Sequence, residues 1–291
     1  MTEAPEAPER TYDGPETDSR RWSAFVPRDG DIVVCTPSKS GTTWVQAILA
    51  LLISGDPGVD AEPAAKAPWI DMRHEPLEAL IARLEAQTQR RQVKSHTPLD
   101  GIPYWPTLRY VTVYRHPIDV HFSFRKHEAN MKDSPFAELF PEDPSESFRH
   151  FLKHQVTDAT GLTEIVGHFR ATCAREPRAN LLRLHYADMQ RDLPGAVAKI
   201  AAHVGISHPP ELMARLVAAA EFSNMKANAA RFAPLAGQDF WRNDAAFFDS
   251  ATSNKWEGVL TAEDLAAYET TIAAMLKPAA RRWLEWGDRK T

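Results

Sequence analysis

Short apolar runs alternate with longer helical patterns along the middle of the chain. Four runs rich in β-branched or aromatic residues predict strands at residues 31–36, 91–95, 108–114 and 180–186. Turn residues and a helical pattern follow the first, third and fourth of these runs. Because that order is typical of βα units, the chain is expected to form a parallel sheet.

Helical periodicity accounts for most of the remaining chain. Helices are predicted after Pro117 and at residues 42–53, 76–87, 145–156, 158–175, 189–204, 210–220 and 262–276, with Ser145 and Thr261 as N-caps. Residues 224–258 lack a clear period and are rich in Asn, Gly, Asp and aromatics, as in lids and binding loops. The expected fold is a three-layer, P-loop-like α/β fold in which helices flank a central, mainly parallel sheet.

The overall charge excludes one class of function. The chain has 291 residues, of which 43% are hydrophobic and 25% charged, the balance of a globular protein with a substantial core. Its net charge is -5 and its pI is near 6.1, whereas general affinity for nucleic acid needs many basic residues. Nucleic acids and anionic membranes are therefore not expected as partners. Basic residues that bind an anion must be gathered in one site.

Cysteine usage and the first residues bear on location and domain organisation. Cys35 and Cys173 are far apart and form no CxxC pair, which argues against a disulfide framework or a zinc site and fits the cytoplasm. Residues 1–18 are acidic and proline-rich, unlike a signal peptide, and are interpreted as a flexible tail before a single domain at 19–291. No apolar run reaches the roughly 18 residues that cross a bilayer.

Polar side chains follow the four predicted strands. Lys39, His96, Arg115 and Tyr186 come after the first, second, third and fourth strand. In an open parallel sheet ligands bind outside the carboxyl ends of the strands, so these side chains are expected to gather at one edge. Two cations, an imidazole and an aromatic ring suit an anionic nucleotide better than a sugar or a lipid.

The loop after the first strand, CTPSKSGTTW, is similar to a phosphate-binding loop whose lysine has moved forward. In GxxxxGK[ST] the lysine follows the glycine, whereas Lys39 precedes Gly41 by two residues. The backbone amides that open the following helix favour an anion, and Thr42 and Thr43 add hydroxyl donors. Gly41 has no side chain that would keep the anion away.

Two further strand ends predict a base and a second phosphate site. His96, beside Lys94, is placed to accept the proton of a hydroxyl nucleophile, since an unperturbed histidine titrates near neutral pH. Arg115 and Ser123 are spaced so that a guanidinium and a hydroxyl can reach one phosphate. An ion pair between Arg115 and Asp119 is the structural alternative.

Together these segments resemble the cytosolic-type sulfotransferases, which use 3′-phosphoadenosine 5′-phosphosulfate (PAPS) as donor. The resemblance is carried, in family order, by PSKSGTTW, VKSHTPL, YRHPIDVHFSF, YADMQRD, FSNMKAN and Trp256. TDSRRW and PWIDM are similar to bacterial, actinobacterial-type members. The resemblance implies transfer of a sulfuryl group from PAPS to a hydroxyl, or an amine, of a small apolar or aromatic acceptor, with no metal.

The resemblance also implies a role for each matching residue. Lys39 matches the lysine that contacts the bridging oxygen of the donor, Lys94 a second lysine near the transferring group, and His96 the catalytic base. The 5′-phosphosulfate loop is matched by Ser40, Gly41, Thr42 and Thr43. The 3′-phosphate pair is matched by Arg115 and Ser123. The neighbours of the adenine are matched by Trp44 and Tyr186, although the sequence alone favours Trp44 as a core residue.

One segment departs from the family. An Arg-Lys-Gly signature that helps to hold the 3′-phosphate usually precedes the tryptophan matched by Trp256, but this chain has Asp249-Ser250-Ala251 there. The change implies weaker donor binding, unless Arg231 or Arg242 substitutes or the loop is arranged differently. The family's dimer motif is also not evident after Trp256, so the sequence leaves a homodimer undecided.

Two other functions stay open on the sequence. A nucleotide kinase or ATPase with an altered P-loop is disfavoured because no acidic Mg²⁺ site is evident, and magnesium-dependent ATP binding would revive it. A non-catalytic module that binds 3′-phosphoadenosine 5′-phosphate (PAP) is suggested by Asp249-Ser250-Ala251. The acceptor pocket is predicted as an aromatic wall near His96, drawn from Trp69, Tyr104, Trp105, Phe124, Phe136, Phe140, Phe240, Trp241 and Phe248.

Overall fold

Four parallel strands lie at the centre of the computed structural model, which describes residues 5–61, 66–132, 134, 138, 140–153, 161–248 and 252–288. The strands are β1 at Ile32–Cys35, β2 at Gln92–Ser95, β3 at Arg109–Tyr114 and β4 at Leu181–His185. Their order is β2-β1-β3-β4, and every pairing is parallel. Each strand lies within one of the four predicted runs, so the α/β fold with a parallel sheet is confirmed.

Helices flank the sheet. Among the described residues the α-helices are, in chain order, α1 at Thr42–Ser54, α2 at Leu77–Glu85, α3 at Pro117–Asn130, α4 at Pro144–Lys153, α5 at Leu162–Ala174, α6 at Tyr186–Arg191, α7 at Leu193–Val204, α8 at Pro210–Ala219, α9 at Phe222–Ala227, α10 at Ala229–Phe232, α11 at Ala262–Met275 and α12 at Pro278–Trp286. The segment predicted to be irregular, 224–258, contains short helices and turns. Residues 154–160, within or beside two predicted helices, lie outside the described residues.

The core occupies both faces of the sheet because side chains alternate along each strand. On β1, Ile32 and Val34 pack in one cluster with apolar residues of α1 and α7. Val33 and Cys35 point to the other face, into a cluster that includes Trp22. All four β1 side chains are fully buried, which explains why this strand reads as a continuous apolar run.

The predicted helix at 189–204 is two helices, α6 and α7. Asp192 ends α6 and caps α7, since its Oδ1 accepts a hydrogen bond of 2.8 Å from the backbone N–H of Gly195. Helix α6 begins at Tyr186, directly after β4. The absence of a connecting loop fixes Tyr186 at the carboxyl edge of the sheet.

The two predicted N-caps have different outcomes. Thr261 caps α11 through a capping box with Asp264, as predicted. Ser145 is instead a residue of α4, and the Oδ1 atom of Asp143 accepts the hydrogen bond from the N–H of Glu146, at 2.7 Å. An acidic side chain therefore takes the capping role expected of the serine.

Residues 5–18 do not form the flexible tail that their composition suggests. Glu6 pairs with Tyr104 in an antiparallel bridge, with both backbone hydrogen bonds at 2.9 Å. The Glu6 carboxylate also receives a hydrogen bond of 3.0 Å from the guanidinium of Arg178. The acidic character of the segment is thus matched by a basic partner in the folded domain.

Candidate active site

The loop between β1 and α1 turns through backbone conformations that few residues adopt. Lys39 has a φ of 60° and Gly41 a φ of 122°, both in the left-handed region. A hydrogen bond of 2.5 Å between the hydroxyls of Thr36 and Thr42 joins the end of β1 to the first residue of α1. Residues other than glycine with a positive φ, such as Lys39, cluster at functional sites.

The same loop fits a phosphate-bearing ligand. Ser40 Oγ is buried and has no hydrogen-bond partner within the described residues, and buried hydroxyls are rarely left unpaired. A Cβ atom on Gly41 would lie 3.1 Å from Cδ2 of Tyr186, so a side chain there would crowd the loop. Because α1 begins at Thr42, with Thr43 partly exposed beside it, the helix N-terminus adds amide donors for an anion.

Tyr186 brings three of the predicted donor-binding residues together. The guanidinium carbon of Arg115 lies 4.5 Å from the centre of its ring, and the ring of Trp44 lies 5.3 Å away in an edge contact. The indole N–H of Trp44 donates to the carbonyl of Ala220 at 2.8 Å. Gly41, Trp44, Arg115 and Tyr186 therefore form one continuous patch at the sheet edge.

Arg115 keeps hydrogen-bonding capacity despite its burial. Its side chain is buried; Nη2 donates to the carbonyl of Thr252 at 3.1 Å, and Nε has no hydrogen-bond partner in the described part of the chain. The nearest Asp119 oxygen is 4.0 Å from Nε, so the alternative ion pair exists only as a long contact. Burial raises the pKa of Asp119. Ser123 lies on α3, partly exposed, and makes no hydrogen bond to Arg115.

The two arginines considered as substitutes at the 3′-phosphate are occupied elsewhere. Arg231 donates from Nε to the carbonyl of Val59 at 3.1 Å. Arg242 donates from Nε to the carbonyl of Met131, also at 3.1 Å. Both guanidiniums hold loops by bonds to backbone carbonyls. Residues 249–251 lie outside the described residues.

His96 is held in one tautomer at the exit of β2. Its Nδ1 lies 2.6 Å from the carbonyl oxygen of Thr36, and because a carbonyl only accepts, Nδ1 carries the proton. Among the described residues Nε2 has no hydrogen-bond partner. Burial, and then the charge of Lys94, keeps the pKa of His96 well below its ordinary value. The imidazole is therefore neutral, with its lone pair at Nε2, as a base requires.

Lys94 is separated from His96 along the chain by one residue, Ser95. Its ammonium is 4.3 Å from the centre of the Trp69 ring, and burial lowers its pKa to about 8. The buried carboxylate of Asp71 accepts a hydrogen bond of 2.5 Å from the Ser95 hydroxyl. Asp71 thereby fixes the end of β2 between the lysine and the histidine.

Two residues that the sequence did not single out surround Lys39. Its Nζ lies 2.8 Å from Nδ1 of His127 and 4.9 Å from the centre of the Phe247 ring. His127 lies on α3, four residues after Ser123, and residues four apart share a helix face. The four-residue spacing from Ser123 is therefore the sequence feature from which His127 could have been predicted as a site residue. Phe247 lies in the segment without a period, where no such signal exists.

The predicted aromatic wall is partly present. Trp69 contacts the ring of His96, and Phe124 and Trp241 contact the ring of His127. Phe140 stacks on Phe124. Phe240 packs against Trp241, with ring centres 4.6 Å apart. These rings and the two lysines give the site mixed aromatic and cationic surroundings.

Other members of the predicted wall lie elsewhere. Tyr104 and Trp105 are in the core cluster that includes Trp22, so their assignment to the acceptor pocket was wrong. Phe248 is buried in a separate cluster of α9 and α10 residues, and Phe136 lies outside the described residues. An aromatic residue in the sequence does not reveal which face of the sheet it will cover.

The described part of the chain lacks two features, a membrane-spanning helix and a cluster of metal ligands. None of its helices combines the length and the apolar character required to span a bilayer. Over those same residues, no group of three or more His, Cys, Asp or Glu side chains is arranged to hold a metal ion.

Comparison with known proteins adds independent information. A family model described as a sulfotransferase domain matches residues 29–279. A glycolipid sulfotransferase of Mycobacterium bovis is 31% identical over 94% of this chain and 93% of its own length. Sulfotransferase 2B1 of Mus musculus is 26% identical over 92% of this chain and 77% of its own. The crystal structure of retinol dehydratase with retinol and PAP has the same fold, with a TM-score of 0.71 at 22% identity, covering 90% of this chain and 87% of that one.

The family match includes all four strands and the loop that follows each of them. It decides against the nucleotide kinase or ATPase left open by the loop sequence alone. The chain belongs to the sulfotransferase family and is a PAPS-dependent sulfotransferase.

Proposed function

We propose that His96 is the catalytic base in sulfuryl transfer from PAPS to an acceptor hydroxyl, with Lys39 and Lys94 as the catalytic cations. The observation that carries this assignment is the hydrogen bond from His96 Nδ1 to the carbonyl of Thr36, which leaves Nε2 as the proton acceptor. The proposed donor-binding residues are Lys39, Ser40, Gly41, Thr42, Thr43, Trp44, Arg115, Ser123 and Tyr186.

Each residue contributes a separate part of the chemistry. PAPS supplies an activated sulfuryl group, whose S–O bond to the 5′-phosphate breaks as the acceptor oxygen attacks sulfur. His96 takes the proton of the attacking hydroxyl at Nε2. Lys39 stabilises negative charge on the departing phosphate oxygen, and Lys94 places a second positive charge beside the base. Such fixed charges act strongly where burial excludes water.

For the acceptor we propose an amphipathic alcohol, and a glycolipid hydroxyl as the first candidate. The mycobacterial glycolipid sulfotransferases support this choice, since they match this chain over 94% of its length. The mixture of aromatic rings and polar groups around Lys39 and His96 supports it as well. An apolar body can pack on the rings while a hydroxyl reaches the base.

Location and domain organisation are part of the same proposal. Both cysteines are free thiols, which suits a reducing cytoplasm, and we place the enzyme there. The family model matches residues 29–279, which supports one sulfotransferase domain, and the contacts of Glu6 with Tyr104 and Arg178 make residues 5–18 part of it. The acceptor is a small molecule rather than a nucleic acid, in keeping with the net charge of -5.

The function is tested by calorimetry with PAP followed by transfer of labelled sulfate from PAPS. We expect PAP to bind without added metal, and label to appear on a glycolipid in preference to a simple phenol or an amine. If label appeared on the phenol and not on the glycolipid, the proposed acceptor class would be rejected, while the proposed sulfuryl transfer would stand. PAP binding without transfer to any acceptor would reject the reaction itself.

A further inference from the structure

Lys39 and His127 form a defined donor and acceptor pair. An ammonium group can only donate hydrogen bonds, so the contact of 2.8 Å between Lys39 Nζ and His127 Nδ1 requires a lone pair on Nδ1. The proton of the neutral ring is therefore on Nε2. Burial, and then the charge of Lys39, holds the pKa of His127 well below its ordinary value, in agreement with this geometry.

The imidazole of His127 is itself fixed in place. Its ring centre lies 4.8 Å from that of Trp241, 5.8 Å from that of Phe124 and 5.9 Å from that of Phe247. Two of these contacts are with the segment after α10, and the third is within α3. A ring enclosed in this way presents its Nδ1 lone pair at one position.

Lys39, in contrast to the enclosed ring of His127, has a long side chain that extends from a loop. Its backbone has a φ of 60°, which sets the direction in which the side chain leaves the loop. Four rotatable bonds then separate the backbone from the ammonium, so the position of the charge depends on what Nζ contacts. The contacts in the structure include His127 Nδ1 and the face of Phe247.

We propose that His127 is a positioning residue for sulfuryl transfer, which holds the ammonium of Lys39 where negative charge develops on the departing phosphate. This inference rests on the proposed role of Lys39. A charge fixed in advance stabilises a transition state without the cost of ordering it during the reaction. Because an ammonium has three N–H donors, a bond to His127 is compatible with a bond to the donor oxygen.

Two substitutions separate this role from simple packing. His127→Phe keeps an aromatic ring and removes the acceptor, whereas His127→Asn places an amide oxygen about as far from Cβ as Nδ1. We expect His127→Phe to lower kcat about tenfold, with the Kd for PAP within about twofold of the wild type, since misplacement rather than lost binding is the cause. His127→Asn should recover most of kcat.

The inference is overturned if His127→Phe keeps the wild-type kcat, or if the two variants lose kcat equally. Equal loss would mean that an acceptor at this position does not restore the rate, so the hydrogen bond to Lys39 is not what matters. Melting temperatures of both variants show whether either one fails to fold. His127→Phe retains an aromatic ring, so a loss of kcat in this variant is not explained by the absence of a ring.

A second readout does not depend on turnover. The rate at which acetic anhydride labels Lys39 can be measured by mass spectrometry, relative to the exposed Lys199. We expect several-fold faster labelling in His127→Phe, because the ammonium loses the acceptor that stabilises it. An unchanged labelling rate would overturn the inference even if the chain transferred no sulfate. Absence of transfer by the wild type would count against the proposed function alone.

Discussion

The Nδ1 atom of His96 lies 2.6 Å from the carbonyl oxygen of Thr36. This bond joins the ends of the neighbouring strands β2 and β1 and leaves only one ring nitrogen able to take a proton. The pairing of the two strands therefore fixes the tautomer of His96.

Removal of the proposed base, His96, should separate donor binding from turnover. We expect His96→Ala to lower kcat by about 10² to 10⁴, the usual contribution of a general base, with PAP affinity almost unchanged. Initial rates of labelled sulfate transfer and calorimetry with PAP are the measurements. His74→Ala, at an exposed histidine, is the matched control and should have the wild-type rate. Near-normal turnover in His96→Ala would show that another group takes the proton.

The pH dependence of transfer should reflect His96 on the acid side and Lys94 on the alkaline side. Because the pKa of His96 is well below its ordinary value, the base stays neutral at pH values that protonate an ordinary histidine. Burial lowers the pKa of Lys94 to about 8, so its charge is lost, and the rate should fall, as the pH rises through that value. The measurement is kcat/KM against pH with an aliphatic alcohol as acceptor.

Lys94→Arg tests the alkaline assignment, because arginine stays protonated in proteins. We expect the alkaline fall to move to higher pH in this variant, even if the rate at neutral pH is lower. A fall that stays near the wild-type position would assign it to a different group.

A methyl group at Gly41 should damage donor binding. In Gly41→Ala the new Cβ would lie 3.1 Å from Tyr186 on a residue with φ of 122°, so the loop must move. We expect PAP affinity to fall at least about tenfold, which calorimetry would measure. Gly205→Ala is the control, because Gly205 also has a positive φ but meets no atom within 4 Å. Equal loss of affinity in both variants would point to general destabilisation.

Arg115 should contribute to recognition of the 3′-phosphate specifically. Loss of a charged hydrogen bond costs about 1.5 to 3 kcal/mol, so Arg115→Ala should weaken PAP binding by roughly 10- to 100-fold. Binding of adenosine 5′-phosphate, which lacks the 3′-phosphate, should change little. Arg242→Ala, which removes a guanidinium bonded to the carbonyl of Met131, should leave both affinities unchanged. Equal losses for the two nucleotides in Arg115→Ala would indicate that it only supports Tyr186.

The parts of the fold that follow from local pattern were predictable. Strand β1 is buried on both faces and so reads as an unbroken apolar run, and the residues after each strand identified the sheet edge that carries the site. The separation of α6 from α7 was missed because Asp192 serves both as the end of one helix and as the cap of the next.

The parts that depend on distant partners were not predictable. An acidic, proline-rich composition made the first residues seem disordered, yet Glu6 has partners, Tyr104 and Arg178, that lie far along the chain. The pairing of Lys39 with His127 likewise depends on the packing of α3 against the loop. No periodicity records contacts of this kind.

The sheet order has a consequence for how activity arises during folding. Neighbours in space, such as β1 and β3, are separated in sequence by α1, α2 and β2, so this strand pair forms only when a long stretch of chain has closed. Lys39, His96 and Arg115 each follow a different strand of that sheet. Catalytic turnover during refolding should therefore emerge late and abruptly, as the last of these strands is paired.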